Sequence, residues 1–191
     1  SFCVGKTMST GGEGGMVITN NEILHNNMAA RRDHGRYQMM GTKDMTQFQW
    51  TVEAFGTNLR MTEMQSAIGR LQLKRLDGWV DRRNEIADAY GEILNNVGDH
   101  KIDAGMRHGR YMHMAVIEDR DRIMKELISL GVPARLGGCP NIGREAVFNG
   151  EAAECPIADG IGERTLSLPV YPTMTDQDVD EVLSAARKVC G

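Results

Sequence analysis

Four glycines in five positions, Gly11, Gly12, Gly14 and Gly15, separate two short apolar runs near the start of the chain. Such a cluster permits positive φ and close backbone approach, so it dictates a tight turn between the flanking segments. The expectation is strand, glycine turn, strand, with strands at Ser1 to Val4 and Met16 to Thr19. Lys6 lies just past the first run. A primary amine beside compact backbone is what a carbonyl-bearing group needs to form a Schiff base. On position alone a lysine is more often a solvated charge, and a hairpin turn accounts for the glycines. No nucleotide-binding pattern, G-x-G-x-x-G or G-x-x-x-x-G-K-[ST], is present.

Bulk properties exclude several classes. The chain has 191 residues, 41% hydrophobic and 25% charged, which suits one large or two small globular domains. A net charge of −4 gives no broad cationic field for nucleic acid or anionic lipid. The longest apolar stretches are far too short to span a membrane. Cys3, Cys139, Cys155 and Cys190 show no C-x-x-C spacing, and free thiols in a cytoplasmic setting are expected. The histidines His25, His100, His108 and His113 lack metal-ligand spacing, so no metal site is expected. Thirteen methionines read as adaptable core filler.

Helical periodicity organises the rest. A helix is expected from Asn20–Glu22 to about Arg32, with Ile23, Leu24 and Met28 on one face. Residues 33–57 are rich in glycine and aromatics without clean periodicity, and a loop of that length is usually functional. Thr62-x-x-Gln65 is a capping box opening a helix on Met64, Ile68, Leu71 and Leu76. A second helix is expected from about Val80 to Asn95, burying Ile86, Tyr90, Ile93 and Leu94. A smaller α/β unit follows. It has a strand at Met112 to Ile117 and a helix capped by Asp119 with Ile123, Met124, Leu127 and Leu130 apolar. Loop fills most of 134–163, Thr165 to Val170 is a strand, and Thr175-x-x-Asp178 opens a final helix on Val179, Val182, Leu183 and Ala186. The domain boundary is placed between the two long helices, giving domains 1–76 and 77–191.

Three spaced motifs carry a resemblance. Ser1-Phe2 and Lys6 followed by Thr10-Gly11-Gly12-Glu13-Gly14-Gly15 is similar to the cofactor-lysine motif of the DegT/DnrJ/EryC1/StrS family. Gly56-Thr57-Asn58-Leu59-Arg60-Met61 resembles that family's Gly-x-Asn-x-Arg-Met segment. Leu166-Ser167-Leu168-Pro169-Val170-Tyr171-Pro172 resembles its C-terminal signature. The family comprises pyridoxal-phosphate (PLP) dependent sugar and cyclitol aminotransferases of the α/β aspartate aminotransferase (type I) fold. The resemblance implies the end of the large PLP-binding domain, 1–76, followed by the small C-terminal domain, 77–191.

The resemblance also implies roles. Lys6 would hold the cofactor as a Schiff base and shuttle a proton, which requires a lysine whose neutral form is accessible. Ser1 would contact the cofactor phosphate, or be a frayed terminus. Asn58 would reach the phosphate of the neighbouring subunit in a homodimer with a shared site, or only support the approach to the helix. That places the 33–57 loop at the interface. Arg60 is expected to pair with a carboxylate and hold the loop, and His34-Gly35 to serve as a turn or catalytically. A lysine at position 6, where PLP-dependent sugar dehydratases carry histidine, favours transamination. The implied reaction moves an amino group from an amino acid, glutamate in the first instance, to a keto-sugar, nucleotide-linked keto-sugar or cyclitol, in polysaccharide or aminoglycoside biosynthesis. Gly138 to Phe148 resembles the branch that includes inosose aminotransferases.

The family's stacking aromatic, pyridine-nitrogen acid and phosphate-binding helix terminus match nothing in this chain. Ser1 rather than methionine stands first, so a fragment is expected, with weak PLP affinity and no useful turnover on its own. The alternative is a non-catalytic fragment, or a dimerisation or binding module derived from the family.

Overall fold

The computed structural model describes residues 1–37, 51–94, 105–138, 141–148 and 154–190. The chain divides into two compact units, Ser1–Lys74 and Arg75–Gly191.

In the first unit the expected opening strands do not form. Residues 1–20 are loop and turn, with one isolated parallel bridge between Cys3 and Gly12. A strand needs lateral partners, and a lone pair is marginal. Met16, Val17 and Ile18 have none in the described chain and are 69%, 70% and 87% exposed. Helix α1, Glu22–Arg32, forms because the Asn21 side chain accepts from the Leu24 N–H, with Glu22 in its first turn and Arg31 and Arg32 in its last. Its expected apolar face is covered only in part: Ile23 and Leu24 are exposed, Met28 is half-buried, and Ala30 is the one fully buried residue of the helix. Two-residue strands β1, Arg36–Tyr37, and β2, Thr51–Val52, pair antiparallel. The middle of the expected 33–57 loop lies outside the described residues.

Helix α2, Glu63–Leu73, starts at the capping box as expected, with the Thr62 and Gln65 side chains each bonded to the other's backbone N–H. Met64, Ile68 and Leu71 are nevertheless exposed. Ala30 is the first unit's only buried hydrophobic residue among those described.

The second unit holds the core. Helix α3, Leu76–Gly91, begins four residues before the expected Val80 and runs through Gly78. It buries Ile86, Tyr90 and, just beyond its end, Leu94. Asn95, Asn96 and Gly98, read as its stop, lie outside the described residues. Strands β3, His113–Val116, β4, Arg135–Leu136, and β5, Thr165–Leu168, form an antiparallel sheet in the order β3-β5-β4. His113 stands opposite Leu168, and Arg135 opposite Ser167.

Helix α4, Arg120–Ser129, covers Ile123 and Leu127 and leaves through Gly131 at φ +88°, a backbone shape that favours glycine. Asp119 sits at its start but does not cap it. Its backbone is left-handed (φ 53°), and its side chain makes no capping bond. The expected loop 134–163 also contains β4, two single-turn 3-10 helices (Ile142–Arg144 and Ala146–Phe148) and helix α5, Pro156–Arg164. Pro156 fits the first turn of α5, while Gly160 and Gly162 lower the helical propensity that would have announced it.

Helix α6, Asp176–Cys190, buries Val179, Val182, Leu183 and Ala186 against Leu127, Leu166 and Leu168 in one cluster. It opens on a reciprocal pair. The Asp178 N–H donates to Thr175 Oγ1 at 3.1 Å, and the Thr175 N–H and hydroxyl each donate to Asp178 Oδ2 at 2.7 Å. The hydroxyl bond first, then the backbone bond, holds the Asp178 carboxyl below its ordinary value. A depressed carboxyl stabilises the fold above its unfolded pKa, and this contribution is lost as pH falls through the lowered folded value. Asp178→Ala is therefore expected to lower the melting temperature near neutrality, with the deficit shrinking on acidification below about pH 4. Melts of both proteins across pH test this, and a deficit that does not change with pH would contradict it.

Candidate active site

Lys6 closes a turn. Its N–H donates to the Cys3 carbonyl at 3.1 Å, and Gly5 between them takes φ +92°. Nothing lies within 4 Å of where a side chain would start at Gly5, Gly12 or Gly15, so the backbone there is open to a ligand. Lys6 is partly buried. The Cys3 thiol donates to the Val4 carbonyl at 3.3 Å, and its pKa is pushed above the usual value, first by the Glu13 side chain as an acceptor, then by burial and the Glu13 charge, with Lys6 pulling the other way. Ser1 is exposed, and its hydroxyl oxygen accepts from the Cys3 N–H at 3.4 Å. Ser1 and Lys6 are thus both bonded to Cys3, one at its N–H and the other at its carbonyl.

The segment is tied down from inside the unit. The Phe2 N–H donates to the Gly14 carbonyl at 2.7 Å, and the Thr10 N–H to the Phe2 carbonyl at 3.2 Å. Thr10 is buried, 1% exposed, and its hydroxyl donates to the Glu13 carbonyl at 3.3 Å. Gly11 is favoured by its φ of +77° and Gly14 by contact with a buried side chain. A Cβ on Gly11 would stand 2.9 Å from Ile68 Cδ1, and one on Gly14 would stand 2.6 Å from Thr10 Oγ1.

Asn58 is exposed and bridges antiparallel to Asp33. Its Oδ1 accepts from Arg60 Nε at 3.0 Å. Arg60 also pairs with Asp33, Nη1 to Oδ1 at 3.4 Å, so it meets a carboxylate as expected. Asp33 is the member of this cluster that sequence reading missed. Its role depends on folding α1 back onto residues 57–60, where the Leu59 N–H meets the Arg32 carbonyl. His34 and Gly35 form the turn after α1, at φ 59° and 77°. Gly35 is packed so closely that a Cβ would fall 1.7 Å from the Ala54 carbonyl oxygen.

Residues 141–148, within the segment Gly138 to Phe148, are organised around Asp159 on α5. Asn141 Nδ2 donates to its Oδ1 at 3.0 Å, and Arg144 Nη2 to its Oδ2 at 2.7 Å. These two bonds, Arg144's first, hold the Asp159 carboxyl below its usual range. Cys139 and Pro140 lie outside the described residues.

The fold is of the α/β aspartate aminotransferase (type I) class. An aminotransferase from Psychrobacter cryohalolentis superposes with a TM-score of 0.83 at 33% identity, covering 98% of this chain and 54% of that one. DesV of S. venezuelae, solved in complex with a ketimine intermediate, gives 0.81 at 26% identity over 98% and 49%.

The chain belongs to the DegT/DnrJ/EryC1/StrS aminotransferase family, which it matches over residues 1–187. The spore coat polysaccharide biosynthesis protein SpsC of Bacillus subtilis is 30% identical over 99% of this chain and 52% of its own length. A GDP-perosamine synthase of Escherichia coli is 30% identical over 94% and 48%. The chain thus spans about half the length of the curated relatives it matches. Family members are aminotransferases, and the family implies PLP. Among the described residues no helix is long and apolar enough to cross a membrane.

Proposed function

We propose that this chain is the C-terminal portion of a PLP-dependent aminotransferase that transfers an amino group from an amino acid, probed first with glutamate, to a keto-sugar or nucleotide-linked keto-sugar or cyclitol. The observation that carries the reading is Lys6, a primary amine on an open turn beside Gly5, with the Ser1 hydroxyl bonded to Cys3, the residue that opens the turn. That donor set fits an aldehyde and a phosphate on one ligand. PLP, when bound, supplies the carbonyl that takes an amine and the ring that draws electrons from the reacting carbon.

This chain's own residues do the rest. Lys6 would hold the cofactor through Nζ and take up and return a proton at that atom. Ser1 Oγ would donate to the phosphate. Asn58 offers its Nδ2 as a donor, because Arg60 already occupies Oδ1, and a donor is what a phosphate requires.

Asn58 acts on a neighbouring subunit in this reading, which makes the protein a cytoplasmic homodimer with a shared site. The first unit supports a need for covering protein: Ala30 is its only buried hydrophobic residue among those described, while Phe55 is 97% exposed and Ile18 87%. The same thin core favours a second reading, a module that serves only to complete another chain.

One experiment separates the two. PLP is added to the full chain, the visible spectrum is recorded, borohydride is added, and the adduct is mapped by mass spectrometry. A pyridoxyl group concentrated on Lys6 is expected. Labelling spread evenly over surface lysines would reject the site and leave the module.

A further inference from the structure

Gln65 does two things with one side chain. Its Oε1 accepts from the Thr62 N–H at 3.0 Å and the Thr62 hydroxyl at 3.1 Å, which completes the capping box of α2. Its Nε2 donates to the Glu13 carbonyl at 2.9 Å, across 52 positions of sequence. The same carbonyl accepts from buried Thr10, and Thr10 holds Phe2 through its N–H. Phe2 in turn holds Gly14. The glycine loop lies against α2 along this line. A Cβ on Gly69 would come within 3.0 Å of Thr10 Cγ2, and one on Gly11 within 2.9 Å of Ile68 Cδ1.

Resting on the reading of Lys6 given above, we infer that Gln65 is a positioning residue that fixes the Lys6 turn to the N-terminus of α2. The donating half of its amide is the part that matters. A capping box accepts glutamate and glutamine equally, since only the acceptor oxygen is used. The contact to Glu13 is different: a carboxylate has no N–H to give and would face a carbonyl oxygen at hydrogen-bond distance. Glutamine at this position is therefore required by the loop, and the helix alone would not demand it.

The chemistry separates the two roles in a single variant, Gln65→Glu, compared with wild type and Gln65→Ala in the full chain. Two readouts are taken, amide hydrogen exchange and pyridoxyl incorporation at Lys6 after PLP and borohydride. In Gln65→Glu, the α2 amides are expected to keep their protection. The amides of Phe2 and Thr10 should exchange about five-fold faster or more, the factor that one lost hydrogen bond supplies. Lys6 incorporation should fall in step. Gln65→Ala should lose both the loop protection and the first turn of α2.

Wild-type exchange at Phe2 and Thr10 in Gln65→Glu would overturn the inference. So would loss of α2 protection in that variant, because Gln65 would then act through the helix. A wild-type chain that takes no pyridoxyl on Lys6 rejects the functional reading instead, and exchange at Phe2 and Thr10 still decides whether Gln65 is the tether.

Discussion

Lys6→Ala is expected to abolish the specific pyridoxyl adduct while leaving background labelling unchanged. The chain offers six lysines to an aldehyde: Lys6, Lys43, Lys74, Lys101, Lys125 and Lys188. Of the four in described segments, Lys74, Lys125 and Lys188 are exposed and Lys6 is partly buried. Exposure alone would therefore direct labelling away from Lys6. The proposed site would reverse that order, because a ligand whose phosphate met Ser1 Oγ would be held close to the turn that carries Lys6. Alanine at position 6 keeps the turn, since the Lys6 N–H bond to the Cys3 carbonyl does not involve the side chain. The measurement is pyridoxyl stoichiometry per lysine in both proteins after reduction. Equal total incorporation and equal visible absorption would show that Lys6 is not the attachment point.

What could be read from sequence divides by the range of the interaction. Both capping boxes, Thr62 with Gln65 and Thr175 with Asp178, were legible because their partners are three residues apart and their chemistry is local. The buried face of α6 was legible for the same reason: Val179, Val182, Leu183 and Ala186 repeat at helical spacing. The opening strands failed because apolar runs at Ser1 to Val4 and Met16 to Thr19 report a tendency, whereas a strand exists only with a neighbour beside it. Exposure of Ile23, Leu24, Met64 and Ile68 shows the same limit, since periodicity marks a face and not what covers it.

Asp119 looked like a cap from its residue type, but its left-handed backbone withholds the side chain from the helix. At the candidate site, the resemblance pointed to Lys6, Ser1 and Asn58. Asp33 and the Gln65–Glu13 contact could not be read locally, because each joins segments far apart in sequence.

Arg83→Met is expected to destabilise the second unit by about 3 kcal/mol, roughly a 10 °C fall in its melting temperature. Arg83 is only 5% exposed, and burial lowers the pKa of its guanidinium. Its Nη1 donates to the carbonyls of Arg110, Tyr111 and Val170, at 3.1, 3.2 and 2.7 Å. These acceptors lie on the segments leading into β3 and out of β5, which meet at one end of the antiparallel pair, so one side chain of α3 ties both strands together at that end. Arg110 itself stands at φ 41°, a shape that costs energy in a non-glycine residue and that this contact helps to hold.

Replacing a buried charge by an apolar group of similar size is often nearly neutral, because the partner charge can be removed with it. Here the partners are backbone carbonyls, which no substitution removes: the buried Val170 carbonyl loses a charged donor at about 1.5–3 kcal/mol, and the part-buried carbonyls of Arg110 and Tyr111 lose less because water can reach them. Arg83→Lys should recover part of the loss by restoring a donor to the nearest carbonyl, that of Val170. Thermal melts of the two variants beside Leu127→Ala, a pure cavity at a fully buried position, calibrate the scale at about 2–5 kcal/mol. If Arg83→Met melts with wild type, the three carbonyls have found other donors, and Arg83 does not hold this end of the sheet.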